Sequence, residues 1–328
     1  MSHIFDALQR SEAEQSGQEP DSFSLAAELL KIAESEAPSL MAEAPAPAPA
    51  MRIHDAVMAD AGIPQPEIPG ARTPKPAAPA PSGPFDQFES LPVSILPGSK
   101  LVSVTEKDSL AAEKFRFLAV RLRQLQQGRP LKKVLITSTI PGEGKSMVAA
   151  NLACTLARKR QQKTLLLDGD LRRPTLARQF GLGKVPGLSE WFQSGTGPMT
   201  NIYRLDALGF WFLPAGSAPQ NPLELMQSGK ISPLMEQLTA WFDWIVIDSP
   251  PVLPLADTSV WSRLADGVLL VSRPGITEKQ QLQRGIEALD RSKLIGALIN
   301  SSVNAAHTDY YQRYGPSAVA RENQDLKE

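Results

Sequence analysis

The chain has 328 residues, enough for one large domain or two small ones, and a formal net charge of -1, which gives no global reason to bind nucleic acid. Its one cysteine, Cys154, excludes an internal disulfide framework, and three scattered histidines without partner cysteines give no zinc spacing. No apolar run reaches the ~20 residues of a membrane span, and the opening MSHIFDALQRSE is neither a secretory signal nor a stop-transfer segment. The expectation is a cytoplasmic protein whose membrane contact is peripheral.

Residues 1–90 read as an N-terminal region of low order. Of the 29 prolines, 15 fall in the first 100 residues, including the run APAPAPA of Ala44 to Ala50. Such composition buries too little apolar surface to offset chain entropy, so about 37–84 reads as an extended, semi-rigid linker. Two islands break it. Ile4, Phe5 and Leu8 lie at helical spacing, and Asp21 precedes Leu25, Leu29, Leu30 and Ile32. Each is a transient helix or a short docking helix that folds in a partner's groove.

The body, 91–305, opens with a predicted helix over 111–127, with Phe115, Leu118, Leu122 and Leu125 on one side. Strands KKVLITS, KTLLLDGD, DWIVIDSP, GVLLVSRP and LIGALINSS then alternate with helices predicted at 146–160, 254–263 and 278–292. Near-continuous apolar strands separated by helices predict an α/β fold: a mostly parallel twisted sheet with helices on both faces. Between Leu171 and Trp241 come GLSEWFQSG, the apolar runs NIYRLDAL and GFWFLPAG, and a helix after Asn221, with Trp191, Phe210 and Trp211 read as core. Cys154 falls on the helix predicted from 146 and reads as a small buried residue.

The first strand feeds STIPGEGKS, Ser138 to Ser146, the sequence form of a phosphate-binding loop. Glycines at 142 and 144 let backbone N–H groups approach phosphate oxygens, and the following helix turns its positive end to them. Lys145 reaches the β/γ-phosphates and Ser146 offers its hydroxyl to Mg²⁺. Pro141, Gly142, Glu143, Gly144, Lys145, Ser146 and Met147 are the candidate nucleotide-binding residues. Two further strands end in acid: Asp168-Gly169-Asp170-Leu171-Arg172, and Asp248-Ser249-Pro250-Pro251. Ligands of open parallel sheets bind at the strands' carboxyl ends, so the loop, Asp168, Asp170 and Asp248 converge on one crevice. Ser146, Asp170 and Asp248 are the candidate Mg²⁺ ligands.

Together SxxPGEGKS, LLLDGDLRR and IVIDSPP resemble the three nucleotide-site motifs of the bacterial tyrosine kinases of exopolysaccharide synthesis, over about Lys100 to Tyr314. The resemblance implies a P-loop sheet related to the MinD/ParA ATPases, with ATP and Mg²⁺ as cofactors. It implies autophosphorylation of a C-terminal tyrosine cluster, in trans on that of a neighbouring copy, in the service of exopolysaccharide or capsule biosynthesis. On that pattern Lys145, Asp168, Asp170, Arg172 and Asp248 are the catalytic set, with Asp168 or Asp170 activating the nucleophile. Asn300 resembles a base-contacting asparagine of related ATPases, or else caps a turn. Three of the four tyrosines, Tyr310, Tyr311 and Tyr314, lie in the polar tail 306–328 as candidate phosphoacceptors.

The family's helix motif E-x-x-R-x-x-R is matched at Glu113 and Arg116, but Ala119 replaces the second arginine, with Arg121 and Arg123 one turn on. Self-association as a ring or dimer is expected. With no polysaccharide co-polymerase domain in the chain, the resemblance implies a separate membrane activator of the chain-length-determinant type. The competing reading is a MinD/ParA-like switch ATPase, whose signature lysine is replaced here by Ile140.

Overall fold

The computed structural model describes residues 85, 87–95, 98–159, 161–194 and 199–301. The two N-terminal islands, the proline-rich linker and the tail tyrosines Tyr310, Tyr311 and Tyr314 lie outside them.

The five apolar strands of the sequence are β1 (Lys133–Ser138), β2 (Thr164–Asp168), β5 (Trp244–Asp248), β6 (Gly267–Ser272) and β7 (Leu294–Ile299). They pair in parallel in the order β2-β5-β1-β6-β7. β2 and β5 are buried at every position, which is why their sequences do not alternate. The two apolar runs left without partners become β3 (Tyr203–Leu205) and β4 (Phe210–Leu213), an antiparallel pair added at the β2 edge. The sheet is therefore mostly parallel, with seven strands among the described residues. Apolar side chains fill both of its faces as two clusters.

One face is covered by α3 (Lys145–Ala157), which follows the phosphate loop and is buried from Val148 to Ala157. Its sequence VAANLACTLA is mostly small, so the helix can lie close to the strands. Cys154 is buried there, and burial pushes its thiol up to about 12. Outside α3 lie α1 (Val102–Thr105) and α2 (Leu110–Gly128). Ser109 caps α2 by accepting the Ala112 N–H at 3.1 Å. The buried stripe of α2 is Ala112, Phe115, Ala119 and Leu122, so Leu118 and Leu125 sit at its margin. Ala119, fully buried, faces the core. An arginine there would have to be buried, and Arg123 is committed to the carbonyl of Leu156. Arg121 is exposed, and Glu113 pairs with Arg116.

α4 (Leu176–Gln179) packs through Leu176 on the same face, and the opposite face carries α5 (Leu188–Gln193), α6 (Pro222–Gln227), α7 (Ile231–Trp241), α8 (Asp257–Leu264) and α9 (Lys279–Glu287). The helix predicted from 254 starts only at Asp257, after three prolines in five residues have withheld backbone donors. The helix predicted to 292 stops at Glu287. Asp290 then accepts from Ser292 N at 3.0 Å and opens a 3₁₀ turn, Arg291–Lys293.

The packed body starts earlier than composition suggested. Residues 89–91 run beside β3: Arg204 N donates to Glu89 O (2.8 Å) and Leu91 N to Arg204 O (3.0 Å). Phe88 is buried in the core, and Phe85 packs on Trp211 and Phe242. This strap covers the open edge of the sheet. No helix among the described residues is long and apolar enough to cross a membrane.

Candidate functional site

The strand order fixes the site. β1 lies between β5 and β6, so the chain leaves β1 in one direction toward β2 and the other toward β6, and a crevice opens where the order reverses. The phosphate loop fills that point. Gly144 caps α3 with φ 94°, a left-handed conformation that favours glycine. A Cβ there would also lie 2.2 Å from the Asn300 amide nitrogen.

The second and third motifs arrive on adjacent strands. Asp168 and Asp248 are register partners across β2 and β5. Gly169, between the two aspartates of its motif, donates its N–H to Asp248 O at 2.8 Å. A Cβ at Gly169 would meet that oxygen at 2.7 Å and the Trp261 ring at 2.7 Å, so only glycine fits between the carboxylates.

The carboxylates differ in surroundings. Asp170 faces the cleft, and its Oδ2 accepts from Lys145 Nζ at 2.9 Å. Asp168 is buried and boxed in by the N–H groups of Asp170 and Leu176, both at 3.3 Å. Burial holds its pKa well above the usual carboxylate range, with the charges of Asp248 and Asp170 adding. Asp248 is fully buried, and neither of its oxygens makes a hydrogen bond among the described residues. Burial pushes its pKa up to about 6, against the pull of Lys145 and the Ser146 hydroxyl nearby. Burial works against the Lys145 ammonium, but the carboxylates of Asp248, Asp170 and Asp168 outweigh it and hold its pKa above the ordinary lysine value. An orphaned, buried carboxylate beside a serine hydroxyl and a phosphate loop fits a divalent cation. Among the described residues no three carboxylate, histidine or cysteine side chains could hold an ion by themselves. A cation here would share its coordination with phosphate and water.

These groups open into a cavity of about 610 Å³. Of the sequence candidates, Pro141, Gly142, Gly144, Lys145, Ser146, Met147, Asp170 and Arg172 line it. Asp168 and Asp248 lie buried at the adjoining strand ends. Glu143 is buried with its carboxylate on Ile140 N and Thr277, and Asn300 bonds the Glu143 carbonyl from behind the loop. Sequence reasoning missed Arg173, Thr175 and Arg178 on the cavity wall, which follow the second motif directly. It also missed Asp257, which pairs with Arg172, and Thr277. No local pattern marks either.

A family model described as ParA, NUBPL iron-transfer P-loop NTPase, matches residues 130–313. Tyrosine-protein kinase YwqD of Bacillus subtilis (strain 168) is 35% identical over 212 residues, 64% of this chain and 89% of that protein. Among solved structures, the chimerical protein CapA2B2 matches with a TM-score of 0.59 at 29% identity, covering 65% of this chain and 94% of that one. The kinase domain of Escherichia coli tyrosine kinase ETK matches with a TM-score of 0.58 at 27% identity, covering 64% and 84%. The three motifs gathered at one end of a parallel sheet and this extent of likeness agree: the chain belongs to the bacterial tyrosine kinases, within the ParA-like P-loop NTPases.

Proposed function

We propose that the protein is an ATP-dependent tyrosine autokinase that regulates exopolysaccharide or capsule biosynthesis or export and phosphorylates Tyr310, Tyr311 and Tyr314 in trans. The observation that carries the reading is the meeting of Lys145 and Asp170, from two separate motifs, 2.9 Å apart in one open cleft. The ion pair keeps the lysine charged and aimed until phosphate oxygens compete for it. Backbone N–H groups of the loop and the start of α3 take the phosphates. Ser146, Asp248 and Asp170 are the groups that would hold Mg²⁺, which would supply positive charge to offset that of the phosphates.

Asp170 is the better placed of the two aspartates to accept the tyrosine proton, because it lines the cleft while Asp168 is fully buried behind it. Arg172, held by Asp257, lends charge to the transferring phosphoryl group. Positioning and charge supply most of the catalysis in this chemistry. Residues 306–328 serve as the acceptor tail. A membrane co-polymerase-type partner recruits and stimulates the kinase from the cytoplasmic side, with the N-terminal region or α2 as its contact.

Incubation of the full chain with labelled ATP and Mg²⁺, followed by mapping of modified residues, tests this. Phosphate on the tail tyrosines, lost in the Tyr310/Tyr311/Tyr314→Phe variant while ATP still binds, supports it. Free phosphate alone would make the protein a switch ATPase, and a strong signal left in the triple variant would move the acceptors elsewhere.

A further inference from the structure

Glu143 behaves unlike its neighbours in the phosphate loop. Its side chain is fully buried and does not line the cleft. One carboxylate oxygen accepts from Ile140 N at 2.7 Å, across the mouth of the loop. The other accepts from the hydroxyl of Thr277, in the turn between β6 and α9. That hydroxyl has one proton, given to the carboxylate, so it receives the Arg273 N–H at 3.3 Å. The next peptide unit is held from another side. Asn300, just after β7, donates from Nδ2 to Glu143 O at 2.8 Å, and its own N–H is fixed on Ser272 O at 2.8 Å. The loop is thus clamped through its side chain by Thr277 and through its main chain by Asn300. Both clamps lie past the ends of β6 and β7, outside the three motifs.

We propose that Thr277 and Asn300 are positioning residues for nucleotide binding, holding the loop in its anion-binding shape, with Thr277 acting through the Glu143 carboxylate. The proposal rests on reading the loop as the nucleotide site. A loop whose N–H groups already converge loses less freedom when an anion arrives, so releasing a clamp weakens binding. The chemical step, carried by other residues, then changes little. A residue that merely supported the fold would instead lower the active fraction, with KM unaltered.

The test uses the full chain, titrated with Mg·ATP and followed by steady-state tyrosine phosphorylation, for the parent protein, Thr277→Val, Thr277→Ser and Asn300→Ser. We expect Thr277→Val to raise Kd and KM for ATP about tenfold, the weight of one hydrogen bond to a charged acceptor, with kcat within about threefold. Thr277→Ser, which keeps the hydroxyl, recovers most of the affinity. An unchanged KM in folded Thr277→Val, or a fall in kcat at constant KM, overturns the proposal. Should Thr277→Val not fold, Asn300→Ser is read by the same rule. A parent protein that does not bind ATP sinks the reading of the loop itself, an outcome distinct from equal binding by parent and variants.

Discussion

Arg172 grips the carboxylate of Asp257 with two hydrogen bonds, Nε to Oδ2 at 2.5 Å and Nη2 to Oδ1 at 3.3 Å. Asp257 is buried in the first turn of α8, while the Arg172 side chain is 38% exposed and lines the cleft. The pair therefore aims a cleft arginine from a buried post on another helix. Asp257→Asn keeps the shape and removes the charge. We expect kcat to fall about 10–100-fold through loss of aim. The stability cost is about 1–2 kcal/mol, at the low end for a charged hydrogen bond because the arginine is partly solvated. Kinetics and denaturant unfolding on the same samples check this, and an unaltered kcat would refute the aiming role.

Asp248 makes the site pH-dependent. Its folded pKa of about 6 lies above the ordinary 3.8, so without ligand it holds its proton to higher pH than an ordinary carboxylate does. By linkage this carboxylate's contribution to stability is complete below about pH 4 and is lost as pH rises through about 6. A cation needs the ionised form, so binding of Mg·ATP near pH 6 should release protons, and affinity should weaken below that pH. Calorimetry in two buffers of different ionisation enthalpy measures the release. Asp248→Asn should abolish it, and a parent protein that releases no protons at pH 6 would contradict the assignment.

Lys145→Met removes the cation that Asp170, Asp168 and Asp248 all act on. Tyrosine phosphorylation should fall by about 10²-fold or more, the scale for losing a preorganised charge donor. The fold should persist, because buried carboxylates left without their partner can take up protons. Circular dichroism and melting at pH 6 and pH 8 test this. Loss of stability should be greater at pH 8, where protonation is harder.

The domain boundary can be tested by truncation. A chain starting at residue 85 keeps the strap and should melt like the full chain. A chain starting at 91 loses Phe85 and Phe88, and burial of Phe88 alone is worth about 1.5–3 kcal/mol. It should melt several degrees lower and expose the β3 edge to self-association, seen by light scattering. Equal melting of the two would show that the strap adds nothing.

Much of this architecture could be read directly from residue patterns. Strands such as TLLLD and WIVID are buried on both faces and therefore carry uninterrupted apolar sequence, a signal local to each strand. The start of the strap was hidden because it follows the proline-rich linker directly, and only Phe85 and Phe88, packed on distant aromatics, distinguish it. Ala119 looked like a missing surface arginine until helix phase turned it inward.

The sequence by itself determined the α/β class, the phosphate loop and the acidic strand ends, because each rests on backbone conformation or on a spacing within a few residues. Tertiary structure decided how those pieces divide their work. Asp168 and Asp248 became neighbours only through strand order, and burial then set their proton affinities apart from ordinary carboxylates. Thr277 reached Glu143 across 134 positions, and Asp257 reached Arg172 across 85. Such pairings depend on how far the chain travels before it returns to the same end of the sheet, and no local pattern encodes that distance.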